Sequence, residues 1–122
     1  MTFPIIQFKA TNTEMDDVLQ DLTDRKLRSL EKFIQDNETD LKCEVEFEKV
    51  TAQQSGDVHR VEVNLFKEGK LYRAESTQDS FEKAVDEVRD ELDKEMRRAH
   101  KKETTMLKQG GRAIKDMLRF GK

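Results

Sequence analysis

The sequence predicts an α+β domain of order β-α-β-β-β-α, with four strands in one sheet and two helices packed on one of its faces. Three observations carry that prediction. Two long stretches repeat apolar residues every three or four positions, the spacing of one helix face. Between them, three shorter runs alternate apolar and polar residues or nearly so, as half-buried strands do. Glu68-Gly69 separates the last two of these runs, as a two-residue hairpin turn would.

Phe3 to Lys9 (FPIIQFK) reads as the first strand, with Pro4 tolerable only near its start or on a sheet edge. Thr13 with Asp16 is an N-cap signal, and Met15, Val18, Leu19, Leu22, Leu27, Leu30, Phe33 and Ile34 form the first helical stripe, predicting a helix from about Glu14 to Gln35. Asp36-Asn37 stops it. Lys42 to Val50 places Cys43, Val45 and Phe47 on one face and Glu44, Glu46 and Glu48 on the other. Gln53 to Asp57 is a loop. Val58 to Phe66 alternates again, with Val61, Val63 and Leu65 inward, and Leu71 to Ser76 is the fourth strand, with Tyr72 and Ala74 toward the core. Asp79 is placed to cap the second helix, with Glu82 three residues on. Phe81, Ala84, Val85, Val88, Leu92, Met96 and Ala99 give it one apolar stripe, predicting a helix from Ser80 to about Lys102, roughly 35 Å long at ~1.5 Å per residue. Gly110-Gly111 reads as a break, beyond which Ala113, Ile114, Met117 and Leu118 suit one or two further turns. Both helices need the same sheet face. The other face carries Lys42, Glu44, Glu46, Glu48, Arg60, Glu62, Arg73 and Glu75, as cross-strand charge pairs.

The 122 residues suffice for one domain with one modest core. Residues 1–103 form that domain, and residues 104–122 a basic C-terminal tail, either solvated and disordered or ordering on a partner. Charged residues make up 40% and hydrophobic ones 34%, and no apolar run approaches the ~20 residues of a membrane span. The first residues lack the basic and apolar regions of a secretion signal, and the single Cys43 has no partner for an internal disulfide. The expectation is a cytoplasmic protein.

The net charge of −3 conceals a division. Residues 1–93 hold 13 Lys and Arg against 23 Asp and Glu, or −10, while residues 94–122 hold 10 against 3, or +7. Acids at a helix start and bases at its end suit the helix dipole, but that does not account for Lys108, Arg112, Lys115, Arg119 and Lys122 further on. The basic end is a candidate anion-binding surface.

An enzyme reading finds little support. His59 and His100 have no Cys or carboxylate at metal-ligand spacing, neither HExxH nor CxxC occurs, and Gly110-Gly111 lacks the flanking residues of a phosphate loop. Cys43, alternating with Val45 and Phe47, reads as a buried small residue. The reading is therefore not an enzyme, with no metal, cofactor or small-molecule substrate. Two helices on one face of a small antiparallel sheet resemble double-stranded-RNA-binding domains, which read A-form shape and phosphates. The candidate RNA-contacting cations are Lys26, Arg28 and Lys32 on the first helix and Lys94, Arg97, Arg98, Lys101 and Lys102 on the second, followed by Lys108, Arg112, Lys115 and Arg119 in the tail.

Three matches then coincide: Lys26-Leu27-Arg28-Ser29-Leu30-Glu31-Lys32-Phe33, Leu71-Tyr72-Arg73-Ala74-Glu75, and Asp79-Ser80-Phe81-Glu82-Lys83-Ala84-Val85-Asp86 leading to a basic helix end. In order and spacing these resemble the short ribosome hibernation-promoting factors, or ribosome-associated translation inhibitors, over about residues 3–102. The resemblance implies the same fold. It implies a protein that is a monomer off the ribosome and binds the small ribosomal subunit between head and body, in the mRNA and tRNA channel. There it blocks translation by occupancy and preserves idle ribosomes under stress. It also implies that Lys26, Lys32, Arg97, Arg98, Lys101 and Lys102 face ribosomal RNA. Glu91 and Glu95 depart from that pattern, standing where related members often carry Lys and Gln. The basic tail departs too, and the second domain of long members is not expected. Two other readings remain: a protein-interaction module that regulates a transcription factor away from the ribosome, and a membrane-surface anchor in Met106–Lys122, which Phe120 as its single aromatic argues against.

Overall fold

The computed structural model describes residues 3–35, 38–50 and 58–120, with side chains described through Lys102. Its element order is β1 (Ile6–Thr11), α1 (Asp17–Arg28), a 3₁₀ turn (Ser29–Phe33), β2 (Leu41–Lys49), β3 (His59–Lys67), β4 (Lys70–Gln78) and α2 (Phe81–Phe120). This is the β-α-β-β-β-α order expected.

The four strands lie in the order β1-β2-β3-β4. β1 runs parallel to β2, with Ile6 opposite Cys43, and the other two pairings are antiparallel. Glu68 (φ 49°) and Gly69 (φ 77°) both take the left-handed conformation, and Lys67 pairs with Lys70 across them. That is a type I′ turn, whose twist matches the strands it joins. Gly69 adopts the conformation at no steric cost.

Period-two alternation fixes which face each strand buries. Cys43, Val45 and Phe47, then Val61, Val63 and Leu65, then Tyr72, Ala74 and Ser76 all point inward. Leu19, Leu27 and Leu30 from the first helical segment, and Ala84, Val85, Val88, Leu92 and Met96 from α2, close over them. Phe47 stacks on Phe8 at 5.9 Å between centroids and meets the edge of Phe81 at 5.5 Å.

The helix boundaries depart from expectation. Asp16 caps α1, its Oδ1 accepting from the Val18 and Leu19 N–H groups at 2.8 and 3.3 Å. Met15 and Val18 precede or begin the first turn and stay exposed, Val18 at 77%. Thr23 takes a core position instead, its hydroxyl donating to Leu19 O at 2.7 Å. α1 ends at Arg28, not Gln35. Ser29 Oγ donates to Lys26 O at 2.7 Å, competing with the α-helical ladder, and the chain tightens into the 3₁₀ turn. Ser80, not Asp79, caps α2: its Oγ accepts from Lys83 N at 3.2 Å and its carbonyl from Ala84 N. Asp79 instead accepts from Lys83 Nζ at 2.9 Å.

α2 continues past Lys102, through Gly110-Gly111, for 40 residues, about 60 Å at ~1.5 Å per residue. The helix break expected at the glycines does not occur. Glycine weakens a helix by ~1 kcal/mol against alanine but keeps its N–H and causes no clash, and good helix formers flank the pair.

Candidate nucleic-acid interface

The registers bring the charge-bearing ends together. Ile6, Leu41, Lys67 and Lys70 lie at one end of the sheet, and Thr11, Lys49, His59 and Gln78 at the other. Each helix runs back from the second end to the first. The C-terminal end of the 3₁₀ turn, the β3–β4 hairpin and the stretch of α2 around Arg97 to Lys102 therefore share one end of the domain. The helix starts share the opposite end, with Glu14, Asp16, Asp17, Asp79 and Glu82. Helix dipoles favour this division, since cations sit best at helix C-termini and anions at N-termini.

At the basic end the two helical segments are clamped. Asp93 of α2 accepts from Lys32 Nζ at 3.1 Å and from Arg97 Nε and a terminal guanidinium nitrogen at 3.2 and 3.1 Å. Lys32 Nζ and Arg97 Cζ also lie 5.2 and 5.5 Å from the centroid of Phe33, and the His100 ring is 6.3 Å from it. Partial burial pushes the Asp93 carboxyl up, but the bonds from Lys32 and Arg97 outweigh it and hold it below the usual range. The structure thus joins two groups of cations that the sequence leaves over sixty residues apart.

The expected cations differ in what they already hold. Lys26 pairs with Asp86 across the helices, and Arg28 bonds Asp24 at 2.8 Å on its own helix. Lys32 and Arg97 share Asp93. Asp90 pairs with Arg89 at 2.9 Å. Lys94, Arg98, Lys101 and Lys102 are exposed on α2. Lys108, Arg112, Lys115 and Arg119 lie on the helix beyond the described side chains.

Sequence reasoning missed two cations at this end. Lys67 closes β3 and pairs with the nearly buried Glu38 at 3.1 Å. Lys70 opens β4, its Nζ 4.9 Å from the Tyr72 ring centroid. The available signal was position, because a hairpin lysine must lie beside the end of the helix that returns over its strand.

The outer sheet face carries an acid-rich network centred on Arg60. Its guanidinium reaches Glu48 at 3.0 Å and Glu62 at 2.7 Å, and also pairs with Glu75. Arg73 bonds Glu62 at 2.8 Å, and Thr11 Oγ1 donates to Glu46 at 2.5 Å. Arg60 holds the Glu62 carboxyl below its usual range. These cross-strand pairs leave the face with little positive charge to offer an anion.

Among the described residues no group of three or more His, Cys, Asp and Glu side chains could hold a metal ion, and no helix is long and apolar enough to cross a membrane. His59 packs edge-on against Phe81 at 4.7 Å between centroids. Cys43 is buried; that burial, with the charges of Glu44 and Asp24, pushes its thiol up to about 12.

A family model described as sigma 54 modulation protein / S30EA ribosomal protein matches residues 6–104. Two solved structures share the fold. The N-terminal domain of Thermus thermophilus Protein Y superposes with a TM-score of 0.64 at 23% identity, over 80% of this chain and 98% of that one. A ribosomal subunit interface protein from Coxiella burnetii superposes with a TM-score of 0.61 at 21% identity, over 77% and 94%. No curated protein matches the sequence significantly.

Proposed function

Because the chain belongs to the family described as sigma 54 modulation protein / S30EA ribosomal protein, we propose that it is a cytoplasmic, ribosome-associated factor that catalyses no reaction. It binds the small ribosomal subunit in the mRNA and tRNA channel, inhibits translation there and preserves idle ribosomes under stress. It reaches the subunit as a monomer. The observation that carries this reading is the clamp at Asp93, where Lys32 and Arg97 meet over Phe33 and merge the cations of both helical segments into one edge. An edge of this kind suits a polyanion of fixed shape better than a small ligand, because its cations are spread along two helix ends and not gathered in a pocket.

In this reading Lys32, Lys94, Arg97, Arg98, Lys101 and Lys102 contact ribosomal RNA, and Lys26 and Arg28 extend the positive edge while balanced by Asp86 and Asp24. Residues 104–122 act as an extension of the 1–103 domain, with Lys108, Arg112, Lys115 and Arg119 continuing along the RNA.

The test is co-sedimentation with small subunits across a salt series. Wild-type protein pellets with subunits at low salt and is released as salt rises. Changing Arg97, Arg98, Lys101 and Lys102 together to Glu weakens binding and lowers the slope of log affinity against log salt by roughly three units, at ~0.7–0.9 per lost phosphate contact. Protein that stays at the top of the gradient at low salt refutes the reading. The other half of the family's description keeps a transcription-factor regulator as the competing reading; a nuclease-resistant pull-down free of ribosomal proteins would favour it.

A further inference from the structure

Beside the clamp, on the β4 side of α2, Lys70, Tyr72, Glu95, Arg98, Ala99 and Lys102 line an open groove of about 220 Å³. It differs from the Lys32 side in what its cations already hold. Lys26, Arg28, Lys32 and Arg97 are each paired with an aspartate. Lys70, Arg98 and Lys102 make no ion pair among the described residues, and Lys70 Nζ lies over the face of the Tyr72 ring, 4.9 Å from its centroid. A lysine held only by a ring quadrupole at an exposed site gives up less on leaving it than a charged hydrogen bond to an oxyanion offers. Glu95 is the one carboxylate at the groove, so three cations to one anion leave it net positive.

The geometry points to a phosphate-binding groove in which Lys70, Arg98 and Lys102 hold a backbone phosphate of RNA, on the opposite flank of α2 from Lys32. This deepens the reading of ribosomal RNA binding and rests on it: the RNA would pass around the end of α2 and touch both flanks, with Lys70 supplying a contact from the sheet that neither helix can make.

The groove carries its own reporter. Tyr72 is the chain's only tyrosine and there is no tryptophan, so intrinsic emission excited near 275 nm reads the ring beneath Lys70. Tripolyphosphate, which does not absorb there, is the first probe. It is expected to change Tyr72 emission saturably in the full-length protein, with the midpoint moved up at least threefold in both Lys70→Ala and Arg98→Ala. Lys83→Ala, at the opposite end of the domain, should match wild type. The second measurement is the salt series with small subunits, where Lys70→Ala should lose threefold to tenfold in affinity and about 0.7–0.9 in slope. A purely structural lysine would leave that slope unmoved. If wild type binds subunits and Lys70→Ala keeps both affinity and slope, the groove is overturned while the ribosomal reading stands. If wild type fails to bind subunits, the ribosomal reading falls and takes the ribosomal occupant with it. An emission unaffected by tripolyphosphate overturns the phosphate site whatever the subunits do.

Discussion

Replacing Asp93 by Asn should destabilise the domain and tighten its grip on RNA at the same time. Asp93 is 19% exposed and bonds Lys32 and Arg97, which are 49% and 63% exposed. Pairs this open to water are worth about 0.5 kcal/mol each, so the loss is about 1 kcal/mol, or about 5 °C in melting temperature for a domain of this size. Binding responds in the other direction. A carboxylate about 7 Å from a bound phosphate opposes it by about 0.6 kcal/mol in water, close to threefold in affinity. The opposing cost is the freer motion of Lys32 and Arg97, but in the wild-type protein both also lie over Phe33, at 5.2 and 5.5 Å, a contact the substitution does not remove, so the charge effect should win. The folded-state pKa of Asp93 is lowered, so its contribution to stability is complete above the unfolded value of ~3.9 and is lost as pH falls through the lower folded value. Melting temperatures of wild type and variant should therefore differ by a constant amount from pH 8 to about 5 and converge below about 4. Equal melting temperatures at pH 7 would show that the clamp is not made in solution. Weaker subunit binding by the variant would show that ordering the cations matters more than freeing them.

Leu92→Ala removes a fully buried side chain where α2 meets the sheet and should cost about 2–5 kcal/mol in urea unfolding, a large share of the stability of such a domain; a change below 1 kcal/mol would contradict the packing described. Cys43, with its thiol pushed up to about 12, should resist a thiol reagent at pH 8 until the protein unfolds, and prompt stoichiometric labelling of the native protein would contradict that burial. Ser80→Ala should cost about 1 kcal/mol and Asp79→Ala much less in the same unfolding assay, and the reverse order would return the cap to Asp79.

Where the sequence was most legible, one physical rule acted alone. Cys43, Val45 and Phe47 all lie inside because a strand offers two faces and one is covered. Glu68-Gly69 makes its turn because a two-residue hairpin between right-twisted strands needs two left-handed residues. Legibility failed where competing local terms are nearly equal. Ser80 and Asp79 are both good caps, and only the entry of the chain into α2 separates them. Ser29 ends α1 by bonding backwards to Lys26, which no apolar pattern reveals. The glycine pair is a weak stop, since glycine costs a helix little compared with proline, and α2 runs through it. The interface was half legible. Its helical cations are visible as types, but the partners of Lys26 and Lys32 lie sixty and sixty-one residues away, so which charges are balanced within the fold had to come from the structure. The alternation that marked the sheet also made Lys70 look like an ordinary surface lysine.

Both helices and the β3–β4 hairpin discharge their cations at one end of the domain, while the helix starts hold acids at the other. The molecule is consequently an electric dipole along its long direction. Near a polyanion it would experience a torque as well as an attraction, and in the proposed reading it would turn its Lys32–Lys102 end forward before any side chain touched RNA. Orientation is then selected in the encounter, within the ~8 Å over which physiological salt leaves a field unscreened. Rising salt would slow productive arrival by removing that guidance, in addition to weakening the contacts that hold the protein once it has docked.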